Sequence, residues 1–451
     1  MSGKYQKAGR ILLAALLAGG VLLLLVCKRS QPRPKTYVET GNMITELTFV
    51  FAEGDESGTA AMTDMVARFN DSHDNIVIRI QSGGSGTYDE KLKTLESVGE
   101  FPDLLETTNV SAYVRAGLLA ELPEDIVNLF TEVTEFEGRV YTAPHTKNNT
   151  NIIVYNKTYF EDHGLQKPRT YEEFFQLCDA IASQQEMIPL AFGAKDLWHI
   201  GFWFNKIYND QVISQDAEFI PHCYAGTKDF SDKSFQAVLT EMRRVISYVQ
   251  PEWASTPDSK VTDYLINENT AMMYTGRHIL CKLEQQELDF ELGGFSIPSP
   301  DGKLRLVSGP SADGLAISAK AAQDPDKKAA AEEFLRFFFA KENYRYYCEA
   351  LDILPTTVDA PDIQYSSVGQ ELLEDLACAD STGPMWNAEI GAKELPSDFR
   401  NAVYETVVEV LKGSIDIETA CTQINSVWQR STQNFNPISG VGAELLQEKG
   451  K

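Results

Sequence analysis

Residues 141–164 read YTAPHTKNNTNIIVYNKTYFEDHG, and no other stretch constrains the fold as much. A proline-closed approach leads into four consecutive amide or hydroxyl side chains, Asn148, Asn149, Thr150 and Asn151. The apolar run 152–155 follows, and then a turn into a helix. Apolar strands are buried, whereas amides need water, backbone or a ligand to bond to. A chain that meets both demands in succession is leaving one packed body for another. The stretch therefore predicts a strand that crosses between two lobes, with hydrogen-bonding side chains exposed where it crosses.

The flanking sequence supplies the two bodies. Before the crossing come a strand over 47–51 (LTFVF) and a helix with Met62, Met65, Val66 and Phe69 at i, i+3, i+4 and i+7. A second strand over 76–80, the glycine-rich QSGGSGTYDEKL, a third strand over 104–106 and a helix over 110–116 stopped by Gly117 complete that half. Strand and helix in alternation predict a parallel sheet with crossover helices. Beyond the crossing, Thr170 and Glu173 form a capping box for a helix whose Phe174, Leu177, Cys178 and Ile181 face inward. A strand near 188–192, an aromatic segment over 193–208 and the buried strand AMMY (271–274) follow. SGPSADGLAISAK (308–320) reads as a small-residue strand crossing back. Asp324 and Pro325 open an amphipathic helix, and the remainder after Leu354 and Pro355 is mostly helical.

A chain of 451 residues with 43% hydrophobic and 23% charged residues is long enough for two or three domains with real cores. The first 35 residues hold seven of the 40 basic residues and no acid, leaving 33 basic against 65 acidic, a net of −32, over the rest. Such a surface repels nucleic acid and anionic bilayers, so no nucleic-acid partner is expected. Residues 11–27 are uncharged behind a basic start, which predicts export by a signal peptide or membrane anchor. Cys27 follows Leu-Leu-Val as in a lipoprotein box, although that pattern wants a small residue where Val26 stands; lipidation and an uncleaved anchor both stay open. Residues 28–45, polar with two prolines, read as a tether.

The seven cysteines are dispersed with no C-x-x-C pair, so they form neither a disulfide framework nor a metal signature. Cys178 and Cys421 fall on apolar helix faces and read as buried thiols, and one disulfide involving Cys348 and Cys378 is open. The six histidines show no ligand spacing, so no metal or cofactor is expected. QSGGSGTY lacks the Lys-Ser/Thr of a P-loop, and no G-x-S-x-G or H-E-x-x-H occurs.

In order along the chain, FPDLLE with YVRAGLLAELPED, the crossing with its following P-x-T-Y-E-E-F, IPLAFGAKDLWHIGFWFN, NENTAMMYTGRHIL, FSIPSPDGK and GPSADGLAISAK resemble the family 1 extracellular solute-binding proteins of ABC importers, the carbohydrate-binding, maltose-binding-protein-like group. The resemblance runs from about Leu47 to the C-terminal helices. It implies an α/β, two-lobed, periplasmic-binding-protein-like (Venus flytrap) fold, with discontinuous lobes joined by hinge strands. One lobe would comprise 46–150 with 313–355 and the other 151–312 with 356–440. It implies a tethered extracytoplasmic monomer that binds a mono- or oligosaccharide in the cleft and delivers it to the transmembrane permease subunits, performing no chemistry. A ligand-sensing subunit for a membrane receptor kinase and a surface carbohydrate-active enzyme are the alternatives.

Sugars present hydroxyls around flat C–H faces, so their sites need amides and carboxylates for the hydroxyls and aromatic rings for the faces. Candidates at strand ends and crossings are Glu53 and Asp55, Ser85, Glu106, Asn148 and Asn149 from the first lobe and hinge. Trp198, His199, Trp203, Thr275, Arg277, Ser311 and Asp313 come from the second lobe and the return crossing. Trp386, in Gly-Pro-Met-Trp, reads as a loop tryptophan fit for a lid or platform. Trp203, between two phenylalanines, fits a core position as well as a cleft wall, and Glu53, Asp55 and Glu106 could equally cap helices. Arg277 with His278 stands where relatives often carry Ser-Trp; a guanidinium there could fork onto a ligand carboxylate or sulfate, or could simply face solvent.

Overall fold

The computed structural model describes residues 44–445 apart from 54–55, 82–87, 108–109, 147–150, 277–278, 281–282, 284–285, 309–311, 384, 387–388, 436 and 438–440. The expected leader, Cys27 and most of the tether lie outside the described residues. Among the described residues no helix is long and apolar enough to cross a membrane.

The first sheet has the order β11-β3-β1-β2, with β1 (Thr45–Val50), β2 (Ile76–Ile80) and β3 (Leu104–Thr107) parallel and β11 (Gly314–Ile317) antiparallel to β3. Neighbouring residues of β1 serve opposite faces, as strand pleating requires. Leu47 and Phe49 pack with Met62, Met65 and Phe69 of the helix Glu56–Ser72 and with Phe334 of the helix Pro325–Phe338, whereas Val50 joins Leu105, Phe101 and Val110 on the other side. The Met and Phe spacing noted above is the stripe by which that helix covers the sheet. Phe49 is fully buried, and removing such a ring typically costs about 3–5 kcal/mol.

The second sheet is β7-β8-β6-β9, from β6 (Asn151–Asn156), β7 (Ile188–Ala191), β8 (Thr270–Gly276) and β9 (Leu292–Phe295). β6 runs antiparallel to both its neighbours, and all its residues are buried. Ile153 and Tyr155 face one core and Ile152 and Val154 another, so the apolar run predicted from sequence is a strand covered on both faces. The capping box forms with an offset of one residue: Thr170 Oγ1 accepts the Glu173 amide at 3.1 Å, and the Glu173 carboxylate accepts the amide of Arg169, before the cap, at 2.7 Å. Asp324 caps the helix that opens with Pro325, accepting the Asp326 and Lys327 amides.

Among the described residues three chain segments pass between the bodies before Cys378, and a fourth leads from the helix Ile417–Thr432 back to the first body, where Val441–Leu445 pairs with Glu132–Phe136. The outgoing and returning segments lie side by side, with Ala143 and Leu315 exchanging amide–carbonyl bonds of 2.8 and 2.9 Å and Thr142 Oγ1 donating to the Ala312 carbonyl at 2.8 Å. A Cβ on Gly314 would strike the Ala143 carbonyl, so the close approach admits glycine alone. Only residues 314–317 of the expected strand 308–320 pair as β11. The third segment stays against the first core through Ile363 and Tyr365 before the helix Ser367–Cys378 joins the second. On the way Thr356 Oγ1 donates to the Pro144 carbonyl at 2.7 Å and Tyr344 Oη donates to that of His145 at 2.9 Å.

A disulfide between Cys348 and Cys378 does not form. Cys348 is a buried free thiol in the first core and Cys378 an exposed one at a helix end. Cys178 and Cys421 are buried free thiols, as their helix positions predict.

Candidate functional site

Both sheets turn the carboxyl ends of their parallel strands toward the crossings. β3 ends at Thr107, which pairs with Gly314 beside the outgoing segment, and β8 ends at Gly276 opposite Asn151, where that segment enters the second sheet. β7 is parallel to β8 and ends on the same edge, which puts the following loop with Trp198 there too. Open α/β sheets bind ligands outside these ends.

Glu106 occupies the end of β3. Its Oε1 lies 3.1 Å from His145 Nε2, and its Oε2 accepts the Ala52 amide at 3.0 Å. Burial pushes the Glu106 carboxyl up, but the hydrogen bond and charge of His145 and the Ala52 amide outweigh it and hold the group below the usual carboxylate range. Tyr88 Oη fixes the strand end by donating to the Val50 and Glu106 carbonyls at 3.1 and 2.5 Å. His145 is buried, and its Nδ1 has no partner among the described residues. The hydroxyls of Thr107, Thr146 and Thr275 are likewise buried and unpartnered among the described residues. Unpartnered buried atoms also occur at Thr59, Trp203, Tyr208, Thr262, Thr270 and Trp386, so it is the position of these four beside the crossings, not the lack of a partner alone, that makes them candidates for a polar ligand.

The second lobe sorts its candidates sharply. Trp198 is 50% exposed and rests edge-on against Phe202 with centroids 5.7 Å apart, leaving ring surface free. Trp203 is core: it is 2% exposed and packs on Tyr274 at 4.7 Å and Phe174 at 5.9 Å. His199 is also internal, with Nδ1 2.6 Å from Asp258 Oδ1, and the Asp258 amide donates to Asp196 Oδ2 at 2.8 Å, so the imidazole ties the loop to the helix Asp258–Ile266. Trp386 is no lid. At 1% exposure it sits among Phe204, Tyr208 and Phe235, because its amide is captured by Asn205 Oδ1 at 2.7 Å and the aromatic cage draws the ring inward.

Glu53 is exposed and Asp313 half-buried, each near a crossing or strand end. Asp55, Ser85, Asn148, Asn149, Arg277 and Ser311 lie outside the described residues. Sequence reading missed His145, although Pro-His immediately before a run of amides was a usable sign. It also missed a buried charged array in which Lys206 Nζ bonds Asp210 Oδ2 at 2.7 Å and Ser299 Oγ at 3.2 Å, while Ser299 Oγ donates to Asp210 Oδ1 at 2.6 Å. Burial lowers the lysine pKa and raises that of the aspartate. A cavity of about 710 Å³ lies elsewhere, beside Trp428 and Lys228, and its charged and amide groups bond to one another: Lys228 to Asp216 and Asp232, Asn425 to Phe230 and Ser231.

Two sheets with strand ends facing shared crossings make a two-lobed architecture whose crossings carry candidate polar contacts for a ligand. Residues 64–371 match the family described as "Bacterial extracellular solute-binding protein", and the chain belongs to that family. It is 23% identical over 408 residues to a "Multiple sugar-binding protein" of Streptococcus mutans serotype c, covering 85% of this chain and 91% of the relative. It is 21% identical over 449 residues to an "Uncharacterized ABC transporter extracellular-binding protein" of Pyrococcus horikoshii, covering 94% and 96%. Among solved structures, a "Chitin oligosaccharide binding protein" superposes with a TM-score of 0.75 at 18% identity, covering 87% of this chain and all of that one, which shows the two-lobed fold.

Proposed function

We propose that the chain is the substrate-binding component of an ABC importer, taking a mono- or oligosaccharide between its lobes and passing it to membrane permease subunits without making or breaking a bond. The observation that carries this reading is a set of buried polar atoms at the crossings and strand ends with no partner among the described residues, those of Thr107, His145, Thr146 and Thr275, of which His145 holds the carboxylate of Glu106. A ligand rich in hydroxyls supplies donors and acceptors to all of them, and half-exposed Trp198 offers a face for its C–H surface. The sugar-binding and transporter names of the relatives point the same way.

The lobes would comprise 46–150 with 313–365, and 151–312 with 366–440; the second boundary moves from 355 because Ile363 and Tyr365 pack in the first core. Asn148 and Asn149 at the outgoing crossing would add amide contacts, and residues 11–27 would hold the protein at the extracytoplasmic face of the membrane. Thermal-shift measurement of the full chain in detergent against raffinose, stachyose, chitotriose, maltotriose, amino acids and polyamines tests the reading, since a ligand that binds only the folded state raises its melting temperature. A saccharide is expected to give the largest rise and to be recovered intact. A response confined to amino acids or polyamines, or release of new reducing ends, would overturn it.

A further inference from the structure

A short segment of the second lobe reaches across to the first. After β12 (Ser381–Gly383), Trp386 anchors the chain in the second core. Four residues later Ile390 packs into the first-lobe cluster with Tyr88, Val114, Leu118 and Tyr141. The chain then returns, and the Glu394 carbonyl accepts Tyr224 Oη at 2.7 Å on the second-lobe side. From that position the Glu394 carboxylate meets Arg115 Nη2 at 2.5 Å, and Arg115 ends the first-lobe helix Val110–Arg115.

An aromatic ring also meets the guanidinium. Phe435 lies with its ring 4.8 Å from the Arg115 carbon, just past the second-lobe helix Ile417–Thr432. The chain beyond it returns to the first lobe, where β13 (Val441–Leu445) pairs antiparallel with β4 (Glu132–Phe136). Arg115 thus takes a carboxylate and an aromatic ring from two separate parts of the second lobe. Its side chain is 31% exposed and that of Glu394 8%, so the pair is only weakly screened by water.

We propose that Arg115 and Glu394 form an interlobe clasp that holds the ligand-free protein toward its closed form and thereby sets its affinity for ligand. Neither residue need touch the ligand; both are positioning residues that act through the open–closed equilibrium. A contact made in one state and lost in the other shifts that equilibrium by its own differential free energy, and ligand affinity follows the population of the competent state. The proposal rests on the reading of the chain as a two-lobed binding protein, but its test needs no ligand.

The test is a distance measurement between spin labels on Cys residues placed at exposed Ser97 and Ser247, in the full chain in detergent, with Cys27, Cys281 and Cys378 replaced by serine. Arg115→Ala and Glu394→Gln are expected to move the empty protein toward longer or broader distances, changing the closed-to-open ratio roughly threefold to thirtyfold. The exchanged pair Arg115→Glu with Glu394→Arg should return most of the short-distance population. Arg115→Lys, which keeps the charge and loses the planar fork, should fall between, and it serves as the test if Arg115→Ala fails to fold. Unchanged distances in folded single variants would overturn the proposal. So would an exchanged pair displaced as far as the single variants, which would mark the residues as structural.

Discussion

Two charged arrays, one in each lobe, are built from similar parts and end differently. In the second lobe Lys206, Asp210 and Ser299 close on one another, with each charged group bonded by a neighbour. In the first lobe Glu106 is bonded twice, yet its partner His145 keeps a buried Nδ1 that no described residue meets. Burial is nearly the same at Lys206, 3% exposed, and at His145, 6%. The difference lies in completion. A closed array fixes structure, whereas an open one beside strand ends retains bonding capacity that only another molecule can use.

The most damaging way to break the comparison is to open the closed array. Asp210→Ala strands Lys206 in a buried site with only Ser299 to bond it. That loss is expected to cost about 3–5 kcal/mol of stability, read as a lower denaturation midpoint, with sugar affinity per folded molecule unchanged. An affinity loss as large as the stability loss would place the array in the site.

A third carboxyl sharpens the comparison through pH. Glu389 is half-buried beside Tyr208; loss of solvation and repulsion from Glu218 raise its pKa to about 7 against the pull of Lys393. Because the folded value lies above the ordinary 4.5, its stabilising effect is complete below pH 4.5 and is lost as pH rises through the window from 4.5 to 7. Roughly 2 kcal/mol should disappear across it. Glu389→Gln should flatten that slope in melting curves taken at pH 5 and pH 8. Glu106 has the opposite sign: its depressed pKa gives stability that is present above pH 4.5 and lost as pH falls below it.

The open array makes the next prediction. His145→Ala should weaken binding of the best saccharide roughly tenfold to a hundredfold by calorimetry, more than it lowers the melting temperature of the empty protein. Equal losses in both would assign His145 to the scaffold.

Local signals were legible in the sequence where neighbouring residues alone decide the outcome. The run 152–155 became the doubly covered strand β6, and Thr170 with Glu173 became the capping box, because burial pattern and cap chemistry act within a few residues. The fold followed from the order of such elements. Trp386 was misread because Gly-Pro-Met-Trp is loop chemistry locally, while its fate is set by Asn205, 181 residues away, and by rings on distant helices. Glu106 was picked out as a strand-end acid, but nothing in sequence announces that His145 completes one side of it and leaves a nitrogen open. Pairings of that kind exist only once the crossing has been laid against the first sheet.

The two tryptophans give the smallest and most discriminating test. Trp386 has almost no free surface, whereas Trp198 keeps half of its own on the edge where β7 and β8 end. Truncating Trp198 removes little packing, so the melting temperature of empty Trp198→Ala should stay within about 1 °C of the parent. If its free face stacks on a sugar ring, affinity should fall about tenfold, near the value of one aromatic contact. Trp198→Phe should recover part of that loss, because a smaller ring still offers a face. Unchanged affinity in Trp198→Ala would deny the ring a stacking role and leave recognition to the polar atoms at the strand ends.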